Sequence, residues 1–554
     1  MKTRCTQLIF VVLCFGALLL GDAVALPAQE VPARQVIKVD SKILDAYVGQ
    51  YELAPKVLLS LRREGNFLMA NITGQPWLAV YAESETKFYW KVVDAQFTIQ
   101  KDQAGKVDGL LFEQAAVKLK ARKISSEVPL PEQLSEPDAV IESPRLAALA
   151  KELKSGHREA LETWWVAMQD KGPLVEPMST PLSRVTFLWR GDGMTRSVLL
   201  VGGVPTPSDD KWLTRLADTD LWYRTEMIPN DARFAYWFQI NRPFTMPRAD
   251  DLAGQAKVLA NSPYRADPLN PRIMIMQGMM PASLLELPAA PPQPWLERLP
   301  EVRPGMLKEH KFKSKLLNGE RTVTIYTPAN YASLRDSCGL LVLFDGAYYQ
   351  DSEMIPAPTI LDNLIAKKKI PPLVTVFVKH DPLSRDKDLS CSDPFVAFLI
   401  EELMPWIRAN YKVSARPEST IVGGLSMGGL MASYCGLRHP EVFGNVLSQS
   451  GAYSWYPGGL ERDTREVPDQ ETDWLTRQFV ATPRRAVRFY IEIGRFEDGG
   501  FASPLAATRR FRDVLKAKDY SVHYSEYSGG HDYISWRGSF ADGLIALTGI
   551  REQE

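Results

Sequence analysis

The stretch Thr420-Ile-Val-Gly-Gly-Leu-Ser-Met-Gly-Gly429 restricts the folds open to this chain more than any other. It contains Gly424-x-Ser426-x-Gly428. The β-branched run Thr420 to Val422 leads in like a buried strand, and Leu430, Met431, Tyr434 and Leu437 follow at helical spacing. A strand, a tight turn and a helix in that order lift the serine Oγ clear of a sheet, and the flanking glycines let the backbone bend without Cβ clashes. The helix N-terminus then lies under any negative charge that develops nearby, with the Met427 N–H as first donor. Three fixed positions recur by chance in ordinary Gly-rich β–α turns, so the serine needs partners elsewhere in the chain.

The surrounding pattern supplies them. Pro288, Pro291, Pro292, Pro294, Pro300 and Pro304 mark an extended boundary, and beyond it strand-like runs alternate with helical ones. The runs are Arg321 to Tyr326, Leu340 to Phe344, Leu373 to Val378, Thr420 to Val422, Asn445 to Ser448, Phe489 to Ile493 and Val522 to Tyr527. This predicts a mostly parallel sheet with helices on both faces over 301–554, with the site beyond the strand C-termini.

A serine nucleophile needs a base, and the base needs a group to orient it; after a nucleophile of this kind the order is acid, then histidine. Of six histidines only His439, His523 and His531 follow Ser426. His439 falls at the end of the helix after the turn and His523 inside a strand, whereas His531 sits on the Gly529-Gly530 loop after the last strand. The loop Gly494 to Gly500 follows the preceding strand and offers Glu497 and Asp498, between which spacing does not choose. For the oxyanion, Met427 N–H is one donor, and Gly346, after the strand Leu341 to Phe344, is the candidate for the second.

These residues carry a resemblance. Leu341 to Gly346, Pro371 to Val376, Gly424 to Gly429, Val446 to Gly451 and Gly529-Gly530-His531-Asp532 followed by Trp536-Arg537-Gly538 are similar to the enterochelin esterase family of the esterase D-like α/β-hydrolases. Asp218 to Trp222 and Asp267 to Pro271 resemble that family's N-terminal domain, so the likeness spans about two thirds of the chain. The resemblance implies a serine esterase that opens the trilactone of catecholate siderophores, with the acid at Glu497 and Asp498 as second choice. Feruloyl and acetyl esterases of plant polysaccharides share the fold, so a glycan ester is the alternative substrate. A non-catalytic binding protein on a hydrolase scaffold is the alternative of another class; the intact Ser426, His531 and Glu497 set argues against it. Trp536, Arg537, Trp455 and Tyr456 are expected on the rim, where aromatic faces stack catechol or feruloyl rings and a guanidinium pairs with anionic oxygens.

Upstream, 143–285 reads as a β-sandwich domain opened by a helix with Ser143 as N-cap and Pro144 in the first turn. Residues 36–125 read as a small β-barrel: Phe97 and Ile99 alternate with Gln96, Thr98 and Gln100, and turns are expected at Glu64-Gly65-Asn66 and Asp102 to Gly105. Leu44 to Glu52 and Thr73-Gly74-Gln75-Pro76 resemble the small barrel appended to penicillin-binding-protein-like hydrolases, which implies an accessory module. Pro129 to Pro144 reads as a linker between these two domains.

A net charge of -1 over 554 residues gives no global field for nucleic acid, and after the N-terminus no run is long and apolar enough to span a membrane. No Cys/His spacing suggests a metal, and no cofactor is expected. Lys2 and Arg4, the apolar run Leu8 to Leu20 and Ala23-Val24-Ala25 form an export signal cleaved after Ala25. Its removal leaves Cys338, Cys391 and Cys435, enough for at most one disulfide. Oligomeric state has no sequence signature here. The expected mature chain begins near Leu26, and N-terminal sequencing of exported protein that reads Met1 instead would refute the signal.

Overall fold

The computed structural model describes residues 36–549 apart from 55–56, 65–66, 74–77, 91–93, 115–116, 127–140, 206–210, 217, 243–257, 259, 276–279, 335–336, 382–383, 459–471 and 499–502. The export signal with its cleavage point, the tip of the turn at Gly65-Asn66, the Gly74-Gln75-Pro76 motif and most of the linker before Pro144 lie outside the described residues.

Eight strands, from Gly49–Ala54 to Val117–Ser125, pair in sequence order and close into a barrel. The period-two pattern drives closure: Phe97 and Ile99 point inward while Gln96, Thr98 and Gln100 lie half-buried. Tyr51, Phe88, Phe97 and Phe112 fill the interior, and Trp90 packs edge-on against Phe97 and Phe112.

The next unit has two antiparallel sheets. One orders its strands Thr214–Arg215, Leu221–Pro229, Leu182–Arg190 and Leu174–Pro177. The other orders Val198–Gly202, Arg233–Ile240, Ala282–Glu286 and Ile273–Met274, with Tyr264–Arg265 also on Arg233–Ile240. Val185, Phe187 and Trp222 from the first sheet share a core with Leu200, Phe234, Tyr236 and Phe238 from the second. On the outer face of the first sheet lies the helix Pro144–Lys154, whose N-cap Ser143 Oγ accepts from Leu146 N–H at 3.1 Å, as its sequence predicts.

The C-terminal domain has eight strands: β1 (Met306–Ser314), β2 (Gly319–Thr327), β3 (Gly339–Leu343), β4 (Leu373–Val378), β5 (Thr420–Leu425), β6 (Asn445–Gln449), β7 (Arg488–Gly494) and β8 (Ser521–Tyr527). Their order is β1-β2-β4-β3-β5-β6-β7-β8. Strands β3 to β8 run parallel, and β2 is antiparallel to both its neighbours. Alternate residues of β3 face opposite cores. Leu340 and Val342 meet α2 (Met427–Arg438), α3 (Trp474–Ala481) and α4 (Pro504–Ala517), while Leu341 and Leu343 meet α1 (Ala357–Ala366) and α5 (Tyr533–Thr548). The Pro-rich boundary is not a free spacer: Trp295 and Leu296 pack on the second core, and Asn363 Nδ2 donates to both Trp295 O and Glu297 O. Among the described residues no helix is long and apolar enough to cross a membrane, and the three cysteines are buried thiols.

One carboxyl lies wholly inside this domain. Glu492 of β7 accepts from Gln449 Nε2 at 3.0 Å, Ser539 Oγ at 2.6 Å and Tyr490 OH at 3.2 Å. Burial pushes it up to about 8, against the pull of those hydrogen bonds. It is therefore neutral at neutral pH in the folded chain but ionised in the unfolded one. Stability is unaffected below the ordinary carboxylate range and falls as pH rises towards about 8. Glu492→Gln lacks this titration and keeps an acceptor for Gln449 and Ser539, so its Tm should gain on the parent as pH rises from about 5 to about 8. Thermal melts across that window check this; a gap that shrinks with pH refutes it.

Candidate active site

Because β3 to β8 are parallel, the loops after them gather at one sheet edge. Ser426 follows β5 with φ 55 and ψ -121 and is the N-cap of α2. This is a strained backbone for a non-glycine residue, and the surrounding structure enforces it. Ser426 N–H donates to Gln449 O at 2.9 Å, and Ser426 O accepts from Gly429, Leu430 and Ala452 N–H. The turn is so tight that a Cβ on Gly424 would fall 2.6 Å from the Gly428 carbonyl carbon. Gly424 is thus required by close approach, whereas a Cβ on Gly428 would meet Asp345 Oδ2 at 3.2 Å.

His531 follows β8 and is exposed; its Nδ1 lies 2.6 Å from Glu497 Oε2. Glu497 is buried, and its other oxygen accepts from Ser450 Oγ at 2.6 Å, Gly494 N–H at 2.9 Å and Tyr527 OH at 3.4 Å. Desolvation and the adjacent Glu497 hold the Tyr527 phenol far above its ordinary range, so it remains a donor. Asp498 is exposed and accepts from Ser503 Oγ at 2.5 Å, at the cap of α4. The loop therefore brings Glu497, not Asp498, to the imidazole. His439 pairs with Glu441 at 2.7 Å, and His523 stacks on Tyr490 at 5.3 Å, each away from this edge. Among the described residues Ser426 Oγ makes no hydrogen bond to His531; such links often close only around substrate.

Among the described residues Met427 N–H, first in α2, has no hydrogen-bond partner. Gly346 differs from expectation. Its N–H donates to Val378 O at 2.9 Å, which leaves no hydrogen for an oxyanion. The next residue, Ala347, is exposed and its N–H has no partner among the described residues, so it takes the place of Gly346 as the candidate second donor. Asp345 holds this loop from below by a two-point pair with Arg385, both contacts at 2.7 Å.

The expected aromatic rim is corrected as well. Trp536 is buried at 2% exposure. Its Nε1–H donates to Ser450 Oγ at 2.9 Å, and its ring stands edge-on to His531 at 4.7 Å. It backs the imidazole instead of facing solvent. Arg537, one residue further round α5, donates from Nε to Gln293 Oε1 at 3.0 Å, at the Pro-rich boundary. Tyr456 is buried, and Trp455 packs edge-on against Trp474 at 5.6 Å. Trp455 remains partly exposed, and the sequence reading missed two further partly exposed aromatics near the site: Tyr348 after β3 and Tyr533 after His531, with ring centroids 5.4 Å apart. Their signal was their place in the two active-site loops. Trp237 of the two-sheet unit packs in the same cluster.

Family models match in three places: "Putative esterase" at 314–547, "Enterochelin esterase, N-terminal" at 184–296 and a "Domain of unknown function (DUF3471)" at 33–127. The iron(III) enterobactin esterase of Escherichia coli K12 is 30% identical over 403 residues, covering 70% of this chain and 96% of the relative. That of Dickeya dadantii is 30% identical, covering 71% and 94%. Among solved structures, the enterobactin esterase of Shigella flexneri in the presence of enterobactin superposes with a TM-score of 0.55 at 29% identity, covering 70% of this chain and 97% of that one. The ferric enterobactin esterase of Salmonella typhimurium gives 0.57 at 27% identity, covering 70% and 98%.

The geometry makes Glu497 the candidate orienting carboxylate. Glu497→Gln places an amide NH₂ or a neutral acceptor against the imidazole, and kcat for p-nitrophenyl butyrate should fall on the order of a hundredfold or more. Asp498→Asn should leave kcat nearly unchanged. The reverse ranking would move the role to Asp498.

Proposed function

The chain belongs to the enterochelin esterase family, and from that premise we propose that it is an exported serine esterase cleaving catecholate siderophore esters by an acyl-enzyme mechanism. The observation that carries the mechanism is the Glu497–His531 pair at 2.6 Å, on the sheet edge where Ser426 ends its strand. Ser426 Oγ attacks the ester carbonyl carbon while His531 Nε2 takes its proton. Nδ1–H donates to Glu497, which stabilises the imidazolium that forms. The carbonyl oxygen becomes an oxyanion before the N–H groups of Met427 and Ala347. Collapse expels the alcohol, which leaves with the proton from His531. Water, deprotonated by the same nitrogen, then releases the acid and restores Ser426.

For the domains we read 36–125 as an accessory barrel, 143–285 as a β-sandwich and 301–554 as an α/β-hydrolase, preceded by an export signal at 1–25. The likeness to iron(III) enterobactin esterases supports the siderophore reading, and Tyr348 and Tyr533 offer aromatic faces for catechol rings beside the site. Export places the reaction outside the cytoplasm, in the periplasm or beyond, where ferric siderophore or its linear fragments are met.

The test is a substrate panel with the full chain and Ser426→Ala: ferric and iron-free enterobactin, its linear fragments, methyl ferulate and acetylated xylan. Enterobactin and its fragments should be cleaved, with kcat reduced at least about a thousandfold in Ser426→Ala. Cleavage of ferulate or xylan esters with none of enterobactin would overturn the substrate class, and an unimpaired Ser426→Ala would overturn the mechanism.

A further inference from the structure

The loop that carries His531 is not held by the esterase domain alone. In the two-sheet unit, the strand Arg233–Ile240 pairs along one side with Ala282–Glu286 from Arg233 onward. On its other side the neighbouring strand Val198–Gly202 reaches only Tyr236. That leaves both backbone groups of Arg233 and the N–H of Ala235 on an open edge, pointing the same way because strand residues two apart do, while the Ala235 carbonyl accepts from Gly203 N–H at 3.0 Å. The esterase domain fills this edge. Arg233 N–H donates to Ser528 O at 2.9 Å, and Arg233 O accepts from Ser535 Oγ at 3.3 Å. Ala235 N–H donates to Asp532 Oδ2 at 3.2 Å. The chain before and after His531 is therefore gripped by two alternate residues of one foreign strand.

Asp532 has a second task. Its Oδ1 accepts from Ser535 N–H at 3.1 Å and so caps α5. One carboxylate thus joins the two-sheet unit, the start of α5 and the residue adjacent to His531. Gly530 seals the contact from the other side, since a Cβ there would fall 2.6 Å from Gly203 Cα. Phe234 stands edge-on to Phe496 at 5.9 Å, so the neighbouring loop that carries Glu497 meets the same strand. Among the described residues His531 meets Glu497 and the edge of Trp536, and beyond these its position follows its loop.

We propose that Asp532 is a positioning residue, latching the His531 loop to the open edge at Arg233 and Ala235, so that the two-sheet unit sets the base for every ester, small ones included. The inference rests on His531 being the base. A unit that only gripped large substrates would leave turnover of a small ester untouched when the latch is cut. A unit that sets the imidazole would not, because a displacement on the order of 1 Å at a reacting group can cost on the order of a hundredfold.

The experiment uses full-length Asp532→Ala, with p-nitrophenyl acetate and enterobactin as substrates and folding followed by circular dichroism. We expect kcat to fall about tenfold or more for both esters, with KM for the acetate little changed. Gly203→Ala acts from the opposite side: its Cβ would lie 2.8 Å from Phe234 Cβ and 3.2 Å from Asp532 Oδ2. It should show the same split, and the double variant should lose less than the product of the two single losses, because both cut one contact. Unchanged kcat for the acetate in Asp532→Ala overturns the proposal. So does a loss confined to enterobactin, or full multiplicativity in the double variant. If Asp532→Ala does not fold, Gly203→Ala decides by the same kcat criterion. A Ser426→Ala control separates the two levels: if it is dead while Asp532→Ala is unimpaired, only the latch fails.

Discussion

The site depends on how one buried carboxylate is satisfied. Glu497 sits at 6% exposure, and removing its charge from water would be costly without partners. Ser450, Gly494 and Tyr527 supply three donors to one oxygen, which frees the other for His531 alone. Ser450 is itself fixed. Its φ is 45, its N–H donates to Glu492 O at 3.0 Å, and its hydroxyl takes the Trp536 indole N–H. The strand ends of β6, β7 and β8 are thereby joined through one hydroxyl and one carboxylate. The orientation of the imidazole is a property of that network, not of His531.

Much of this was legible in the sequence where the chemistry is local. The turn at Ser426 is set by contacts within five residues, Gly424 to Gly428, so its glycines announce it. The alternation along the barrel strands and the cap at Ser143 are local in the same way. What spacing could not reveal was direction. Glu497 and Asp498 are neighbours on one loop, and only the fold turns one inward. Gly346 and Ala347 differ by one peptide unit in which N–H already meets the Val378 carbonyl. Trp536 was placed on the rim because it follows His531 closely. Yet α5 starts at Tyr533, and one turn later its side chain returns beneath the imidazole.

Contacts between units are the least legible class. Ala235 and Asp532 lie about three hundred residues apart, and nothing in either neighbourhood marks them as partners. The family likeness covers both regions, but it carries no statement about which backbone groups meet. The open strand edge became visible only once the extents of Val198–Gly202 and Arg233–Ile240 could be compared.

The outer border of the esterase sheet has a consequence for life at high concentration. Strand β1 is an edge strand, exposed through most of its length, and it carries Lys308, Lys311 and Lys313. Any second chain that tried to continue the sheet there would need to accept a row of ammonium groups, and a copy of β1 itself would bring its own row against them. Like charges set opposite each other disfavour such pairing. The border thus disfavours continuation of the sheet past β1 without a cover over the strand.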